Sequence, residues 1–135
     1  MKKKLAIAIP TVLVLLAAML VMAYRSAWEK LRRMDCQCQL KVITTGLYIY
    51  AKDNDGFFPD KDGDEGLRML WNGGYVTHPH TMSCPSVQPS REYSVEFDYV
   101  AGYRVDADKD IGIVMDRAGN HRDYGNIGFV DGRVW

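Results

Sequence analysis

The sequence has no excess of charge of either sign. Lysine and arginine number 17, and aspartate and glutamate also number 17, so the formal net charge of the 135-residue chain is zero. A nucleic-acid-binding domain needs a basic excess on at least one face to neutralise phosphates. We therefore expect no nucleic-acid partner. A chain of this length fits one compact domain with an anchor, rather than two full domains.

Motifs of the common enzyme classes are also absent from the sequence. It contains no nucleophile elbow, no phosphate-binding loop and no HExxH helix. His121 and Asp131 suggest acid–base chemistry, but this pair lacks a third partner. A histidine that hydrogen-bonds within the sheet and its loops, and so fixes the Asp131-Gly132 turn, is the simpler interpretation. We predict no catalytic residues and no enzymatic activity.

Charged residues are missing from the segment Leu5–Tyr24, which follows three lysines at positions 2–4. Twenty helical residues span about 30 Å, which is the thickness of the hydrocarbon core of a bilayer. We predict a transmembrane anchor over residues 1–24. Tyr24 and Trp28 follow its end and suit the membrane interface, where amphipathic rings are enriched.

A cleaved secretory signal is the alternative to a retained anchor. Val21-Met22-Ala23 has the small-x-small spacing of a signal peptidase site, so cleavage after Ala23 would release the rest of the chain. Retention is favoured because the apolar run is longer than that of a typical signal. Charge alone leaves the orientation open, because basic residues flank the segment on both sides. Those after it are Arg25, Lys30, Arg32 and Arg33.

Proline is absent from residues 25–53, and Gly46 is the one glycine there. Apolar or weakly polar side chains recur at steps of four and three, which predicts one buried stripe on a helix over residues 25–53. The opposite face suits solvent. The stripe consists of Cys36, Leu40, Ile43, Leu47 and Tyr50, and the opposite face carries Lys41, Thr44, Thr45 and Lys52.

The sequence after Asp53 predicts a short helix and then strands. Asp53-Asn54-Asp55-Gly56 ends the long helix, and helical spacing predicts a second helix at about 65–72. Alternation and short apolar runs predict strands at about 94–104, 111–116 and 126–135. Asp131-Gly132 between apolar segments favours a type I′ hairpin. One long helix followed by a small antiparallel sheet makes an α+β domain over residues 25–135.

Four short motifs, in the same order, resemble bacterial type II secretion pseudopilin-like proteins of the planctomycete type. The family pattern has a cysteine before Leu-Lys in a helix, then Tyr-Ala-x-Asp-x-Asp-Gly with a proline, a Cys-Pro-Ser loop, and a histidine separated from Asp-Gly by nine residues. Four such matches in sequence are hard to obtain by chance. The matching segments are Cys36–Lys41, Tyr50–Pro59, Ser83–Ser86, and His121 with Asp131-Gly132.

The resemblance implies a type IV pilin-like fold and a non-catalytic, structural role in, or related to, type II secretion or type IV pilus-like systems. It implies a single-pass protein of the bacterial inner membrane, with its C-terminal domain on the extracytoplasmic side. Its expected partners are the membrane and, beyond it, other pilin-like subunits or secretion-system proteins.

The N-terminus departs from the family pattern. Pseudopilins usually begin with a basic leader, a glycine before a phenylalanine, and a glutamate five residues into the mature chain. Here no glycine lies between Met1 and Tyr24, and the first acidic residue is Glu29. Polymerisation is therefore in doubt, and a stand-alone anchored binding module of the cell envelope is an alternative. A small secreted enzyme is a further alternative from another class.

The three cysteines include the two that the family pattern matches with each other, Cys36 and Cys84. The resemblance implies that these form a disulfide in an oxidising compartment, which would leave Cys38 over. The alternative is three unpaired cysteines in a reducing compartment. Cys36 and Cys38 are two residues apart on a helix and do not resemble a metal-binding Cys-x-x-Cys pair.

An acidic segment is the one candidate for a cofactor. Asp106, Asp108 and Asp110 alternate as carboxylates do in calcium loops, but the EF-hand glycine and the glutamate at the twelfth position are missing. An acidic turn between strands is usually only solvated. We expect no cofactor, with calcium at these three residues as the alternative.

Overall fold

The computed structural model describes residues 2–87 and 94–135. Helix α1 covers Lys2–Asp53 and α2 covers Gly63–Asn72, followed by a 3₁₀ helix at Pro79–Met82. Three strands complete the described part of the chain: β1 at Phe97–Tyr99, β2 at Gly112–Asp116 and β3 at Ile127–Phe129. The chain divides into two compact units, the first ending at Leu31 and the second covering Arg32–Trp135.

The first unit is helical, and its described apolar side chains are exposed. The large apolar side chains between Val12 and Met22 are 52% to 71% exposed. A window of this helix has a mean hydropathy of 1.7, so α1 is long and apolar enough to cross a membrane by length and composition. The prediction of an apolar N-terminal helix is thus confirmed.

The second unit is an α+β domain with a small antiparallel sheet, as predicted. The strand order is β1-β2-β3, and each neighbouring pair is antiparallel. The predicted stripe of α1 forms much of the core, because successive members lie on one helix face. Its fully buried members are Cys36, Leu40, Ile43 and Leu47, and Ala51, which the predicted stripe did not include, is fully buried as well. Tyr50 is only partly buried and packs edge-to-face on Tyr75, with ring centroids 5.3 Å apart.

Two glycines allow close approach to α1. A Cβ on Gly46 would lie 2.8 Å from Val76 Cγ2, and a Cβ on Gly128 would lie 2.6 Å from Thr44 Cγ2. Thr44 was predicted to face solvent, but it is 1% exposed. That prediction is wrong because β3 also covers this side of the helix, where Gly128 allows the strand to approach Thr44 closely.

The strands are shorter than predicted. Residues that follow β1 turn away at Gly102, whose φ of 89° is left-handed. Tyr103 then accepts a hydrogen bond from the backbone of Phe58, and Arg104 forms a bridge with Phe57. The predicted strand at 94–104 is therefore divided between two partners.

The hairpin after β3 has a different turn from the predicted type I′. Such a turn needs positive φ at both central residues. Gly132 has φ of 80°, whereas Asp131 does not have positive φ. The Gly132 N–H donates to the Phe129 carbonyl, and the Phe129 N–H donates to Arg133. This is the arrangement of a type I turn followed by a left-handed glycine.

Candidate functional site

Four elements bring a group of titratable side chains together inside the second unit. Cys36 comes from α1, Cys84 from the loop after the 3₁₀ helix, Asp116 from the end of β2, and His121 from the loop between β2 and β3. Cys36 is fully buried and Cys84 is 2% exposed. The side chains of His121 and Asp116 are 0% and 1% exposed. We refer to these four residues as the thiol–imidazole cluster.

The two thiols of the cluster are in direct contact. Cys36 Sγ lies 2.7 Å from Cys84 Sγ, and both cysteines are free. The structure therefore brings together the two cysteines that the family pattern matches, while the disulfide between them stays a prediction. Cys38 is exposed, as its position two residues along the helix requires.

His121 connects the thiols to the carboxylate. Its Nε2 lies 3.5 Å from Cys84 Sγ and 3.3 Å from Asp116 Oδ2. Its Nδ1 lies 3.2 Å from the Ser86 hydroxyl oxygen. A hydrogen bond at one ring nitrogen sets which tautomer is present and therefore what the other nitrogen presents to its neighbours. Because a serine hydroxyl can donate or accept, the contact with Ser86 is compatible with Nε2 offering either a proton or a lone pair to the cluster.

The two oxygens of Asp116 have different surroundings. Oδ2 accepts hydrogen bonds from the backbone and side-chain nitrogens of Asn126, at 2.7 and 2.8 Å. Oδ1 is buried and has no hydrogen-bond partner within the part of the chain that the structure describes. A buried polar atom without a partner carries a desolvation penalty of about 1 to 3 kcal/mol, and more for a charged group. Among the described residues, the cluster therefore contains one carboxylate oxygen that accepts no hydrogen bond.

Hydrogen bonding within the cluster favours ionisation of one sulfur. The Cys36 thiol donates to Cys84 and lowers the pKa of Cys84, and the positive charge available to His121 acts in the same direction. Burial and the charge of Asp116 oppose this effect. A thiolate beside an imidazole and a carboxylate is a set of donors suited to a metal ion, to proton sharing or to oxidation of the thiol pair.

His121 and Asp131, which the family motif pairs, have different named partners. Asp131 accepts a hydrogen bond from the Arg133 backbone N–H at 3.0 Å and forms an ion pair with its side chain. The Arg133 backbone bond is the main reason why the pKa of Asp131 lies below its usual value. Gly132 supplies the left-handed residue of the hairpin, and Lys41 donates to its carbonyl at 2.5 Å. Asp131 and Gly132 thus act in the turn, whereas His121 belongs to the thiol–imidazole cluster.

The three aspartates considered for calcium each have partners from this chain. Arg104 pairs with Asp106 at 3.3 Å, and Arg133 pairs with Asp110 at 2.6 Å. Asp108 accepts a hydrogen bond from the Asp110 backbone N–H. Guanidinium groups therefore already neutralise two of the three carboxylates, and calcium binding there stays an untested alternative.

The two aromatic residues proposed for the membrane interface are exposed on α1. Tyr24 is 63% exposed and Trp28 is 46% exposed. Their rings meet edge-to-face, with centroids 6.0 Å apart. Both side chains are therefore accessible to an interfacial environment, which is consistent with the prediction and does not test it.

Sequence reasoning missed the two residues that orient the cluster, Ser86 and Asn126. Both lie in loops and reach their partners across 35 and 10 residues of sequence. Asp116 was not among the predicted site residues. A stronger signal was available, because Asp116 ends the apolar run 111–115 and an acid at the end of a buried strand requires a partner.

An open groove of about 280 Å³ lies beside α2. Leu67, Trp71, Met82 and Val95 supply apolar walls, and Arg68 is also part of the lining. The groove is mostly apolar and contains no part of the thiol–imidazole cluster. It is therefore a separate feature of the second unit.

Comparisons of the chain with protein-family models, with curated proteins and with solved structures found no match. The similarity to pseudopilin-like proteins therefore depends on the four short motifs themselves. It supports a proposal about this chain and not a family assignment.

Proposed function

We propose that this protein is a non-catalytic, membrane-anchored pseudopilin-like protein, either a structural component of a type II secretion or type IV pilus-like system or a relative of one. One observation carries the proposal. A single helix, α1, first presents an uncovered apolar segment and then supplies the core stripe of a small antiparallel α+β domain. The motif resemblance adds the orientation, with the second unit on the extracytoplasmic side of the bacterial inner membrane.

The uncovered segment supports the anchoring part of the proposal. Side chains such as Leu13, Leu15 and Leu20 are 60% to 71% exposed. Burying a leucine side chain is worth about 1.5 to 3 kcal/mol, so a row of exposed leucines is strongly favourable to transfer into lipid. In this proposal the hydrocarbon core of the membrane buries the apolar side chains that the described residues of the protein leave exposed.

The N-terminal sequence of the protein in its native membrane fraction tests this proposal. A terminus within the first few residues, especially one carrying an N-methyl group, would identify a processed, filament-forming pseudopilin. An intact Met1 in the membrane fraction would support an anchored protein without such processing. A terminus at Tyr24 in the soluble fraction would overturn the anchor and restore the secreted form.

A stand-alone anchored binding module is the second candidate, and the groove beside α2 favours it. The groove presents Trp71 and Leu67 beside Arg68, which is a combination that suits an apolar side chain with an adjacent acid. Under this candidate the second unit holds another envelope component instead of polymerising. The intact Met1 result would favour this version over a filament subunit.

A further inference from the structure

The thiol–imidazole cluster has the composition of a soft-metal centre. It offers two sulfur atoms, one imidazole nitrogen and one carboxylate, and all four side chains are buried. The ligand atoms of Cys36, Cys84 and His121 lie within 4.8 Å of one another. Zinc is bound by this kind of donor set, usually with four ligands in a tetrahedral arrangement.

Two distances within the cluster match edges of such a tetrahedron. Zinc–ligand bonds of about 2.0 to 2.3 Å give edges of about 3.5 Å between sulfur and nitrogen, 3.3 Å between nitrogen and oxygen, and 3.8 Å between sulfurs. Cys84 Sγ to His121 Nε2 is 3.5 Å, and His121 Nε2 to Asp116 Oδ2 is 3.3 Å. The sulfur–sulfur distance of 2.7 Å would have to widen by about 1 Å.

Two further residues hold the ligands as outer partners do in metal sites. A ligating histidine commonly donates its second ring N–H to a neighbouring oxygen, which leaves the first nitrogen free for the metal. Ser86 Oγ is in that position, 3.2 Å from His121 Nδ1. Asn126 holds Oδ2 of Asp116 through two hydrogen bonds, as an outer partner holds a ligating carboxylate.

The unpartnered oxygen of Asp116 is an independent indication of a ligand. Oδ1 is buried without a hydrogen-bond partner among the described residues, although Asn126 supplies Oδ2 with two. A buried carboxylate needs a positive group or a set of donors, because desolvation otherwise makes its charge costly. A divalent cation bound through Oδ2 would compensate the charge of this carboxylate as well as that of the two sulfurs.

We propose that the reduced protein binds one thiophilic divalent ion, Zn²⁺, through Cys36, Cys84, His121 and Asp116. Binding displaces the two thiol protons, and neutral His121 contributes Nε2 while its Nδ1–H donates to Ser86. Two thiolates and one carboxylate then oppose the charge of the ion. Transfer of two electrons from the two thiolates to a thiol-oxidising disulfide would join the sulfurs and release the ion, so metal binding and the disulfide are alternative states of one site.

Cobalt substitution tests the proposal on the full chain, solubilised in detergent and reduced with a phosphine. Because both sulfurs are buried, Co²⁺ is present while the reductant acts. We expect a thiolate-to-cobalt charge-transfer band that saturates at one ion per chain and disappears on addition of Zn²⁺. No such band in fully reduced protein would overturn the proposal.

Matched variants identify the ligands. Cys84→Ser and Asp116→Asn should abolish or alter the band, whereas Cys38→Ser, which removes the exposed cysteine of the same helix, should leave it unchanged. Ser86→Ala removes only an outer partner and should weaken Zn²⁺ binding about 10- to 100-fold. If a ligand variant fails to fold, the Zn²⁺ affinity of Ser86→Ala still tests whether His121 is a ligand. Unchanged affinity in Ser86→Ala, or loss of the band in Cys38→Ser, would contradict the assignment.

Discussion

The two units of this chain use the same apolar residue types on one helix with opposite results. Leu20, in the first unit, is 71% exposed, whereas Leu40, in the second unit, is fully buried. Both lie on α1, so helix propensity does not distinguish them. The two leucines differ in their packing neighbours. Residues after Asp53 cover the part of the helix that contains Leu40, whereas no described residue covers the part that contains Leu20. Whether an apolar residue is buried therefore depends on the rest of the chain and not on its own helix alone. An apolar segment that the chain does not cover indicates that something other than this chain, such as lipid, covers it.

The largest effect should come from removing a core leucine. Leu40→Ala should lower the free energy of unfolding of the second unit by about 4 kcal/mol, because it removes transfer energy and leaves a cavity. For a domain of about 100 residues this corresponds to a fall of about 16 °C or more in the melting temperature. Near-ultraviolet circular dichroism of the solubilised protein would measure it.

Leu20→Ala is the matched control for that experiment. It makes the same chemical change on the same helix and should leave the melting temperature of the second unit unchanged. Equal losses in the two variants would mean that the first unit also has a protein core, and the comparison between the units would fail.

Reduction of the predicted disulfide should lower the free energy of unfolding of the second unit by about as much as Leu40→Ala does, and it should not affect the first unit. A Cys36–Cys84 bond would close a loop of about 47 residues and stabilise the fold by about 4 kcal/mol in the chain-entropy model. Protein isolated without reductant and alkylated in denaturant should show one free thiol, which is that of Cys38. Three alkylated thiols would eliminate the bond. Extraction from the membrane should not change on reduction.

A charge introduced into the first unit should have the opposite effect, because it should change membrane insertion and leave the fold of the second unit intact. Leu16→Arg should weaken membrane insertion by about 3 kcal/mol, or roughly 100-fold, because arginine is costly at the centre of a spanning helix. Val42→Arg is the control, since Val42 is exposed on the same helix but lies in the second unit. Fractionation of cells would measure the distribution. Retention of Leu16→Arg in the membrane, equal to that of Val42→Arg, would count against the anchor.

The period of the apolar residues was enough to predict the core side of α1 and the α+β class. Cys36, Leu40, Ile43 and Leu47 are all fully buried, and the helix ends at Asp53 as the following Asn-Asp-Gly indicates. Periodicity on a single helix cannot report how many neighbours will cover it. Thr44 was placed on the solvent side for that reason, and Gly128 of β3 then packs against it.

The thiol–imidazole cluster was harder to predict from the sequence than the core was. Cys36 and Cys84 were paired through a resemblance, but Asp116, Ser86 and Asn126 reach His121 or one another only after the sheet and its loops have formed. No local spacing encodes such contacts, because each residue comes from a different loop or strand end. The turn at Asp131, in contrast, depends on neighbours two residues away and could be predicted from Asp-Gly.

The smallest effect should come from that turn, and it should depend on pH. Hydrogen bonds and charge from Arg133 lower the pKa of Asp131 in the folded protein below its ordinary value of 3.8. The carboxylate therefore stabilises the fold fully above that ordinary value, and its contribution is lost as the pH falls through the folded pKa. Asp131→Asn should melt below the wild type near neutral pH, and this difference should shrink at about pH 3. Asp123→Asn, which removes a negative charge from another exposed aspartate, controls for net charge. A difference between wild type and Asp131→Asn that stays constant with pH would show that the side chain acts in the turn through its shape and not through its charge.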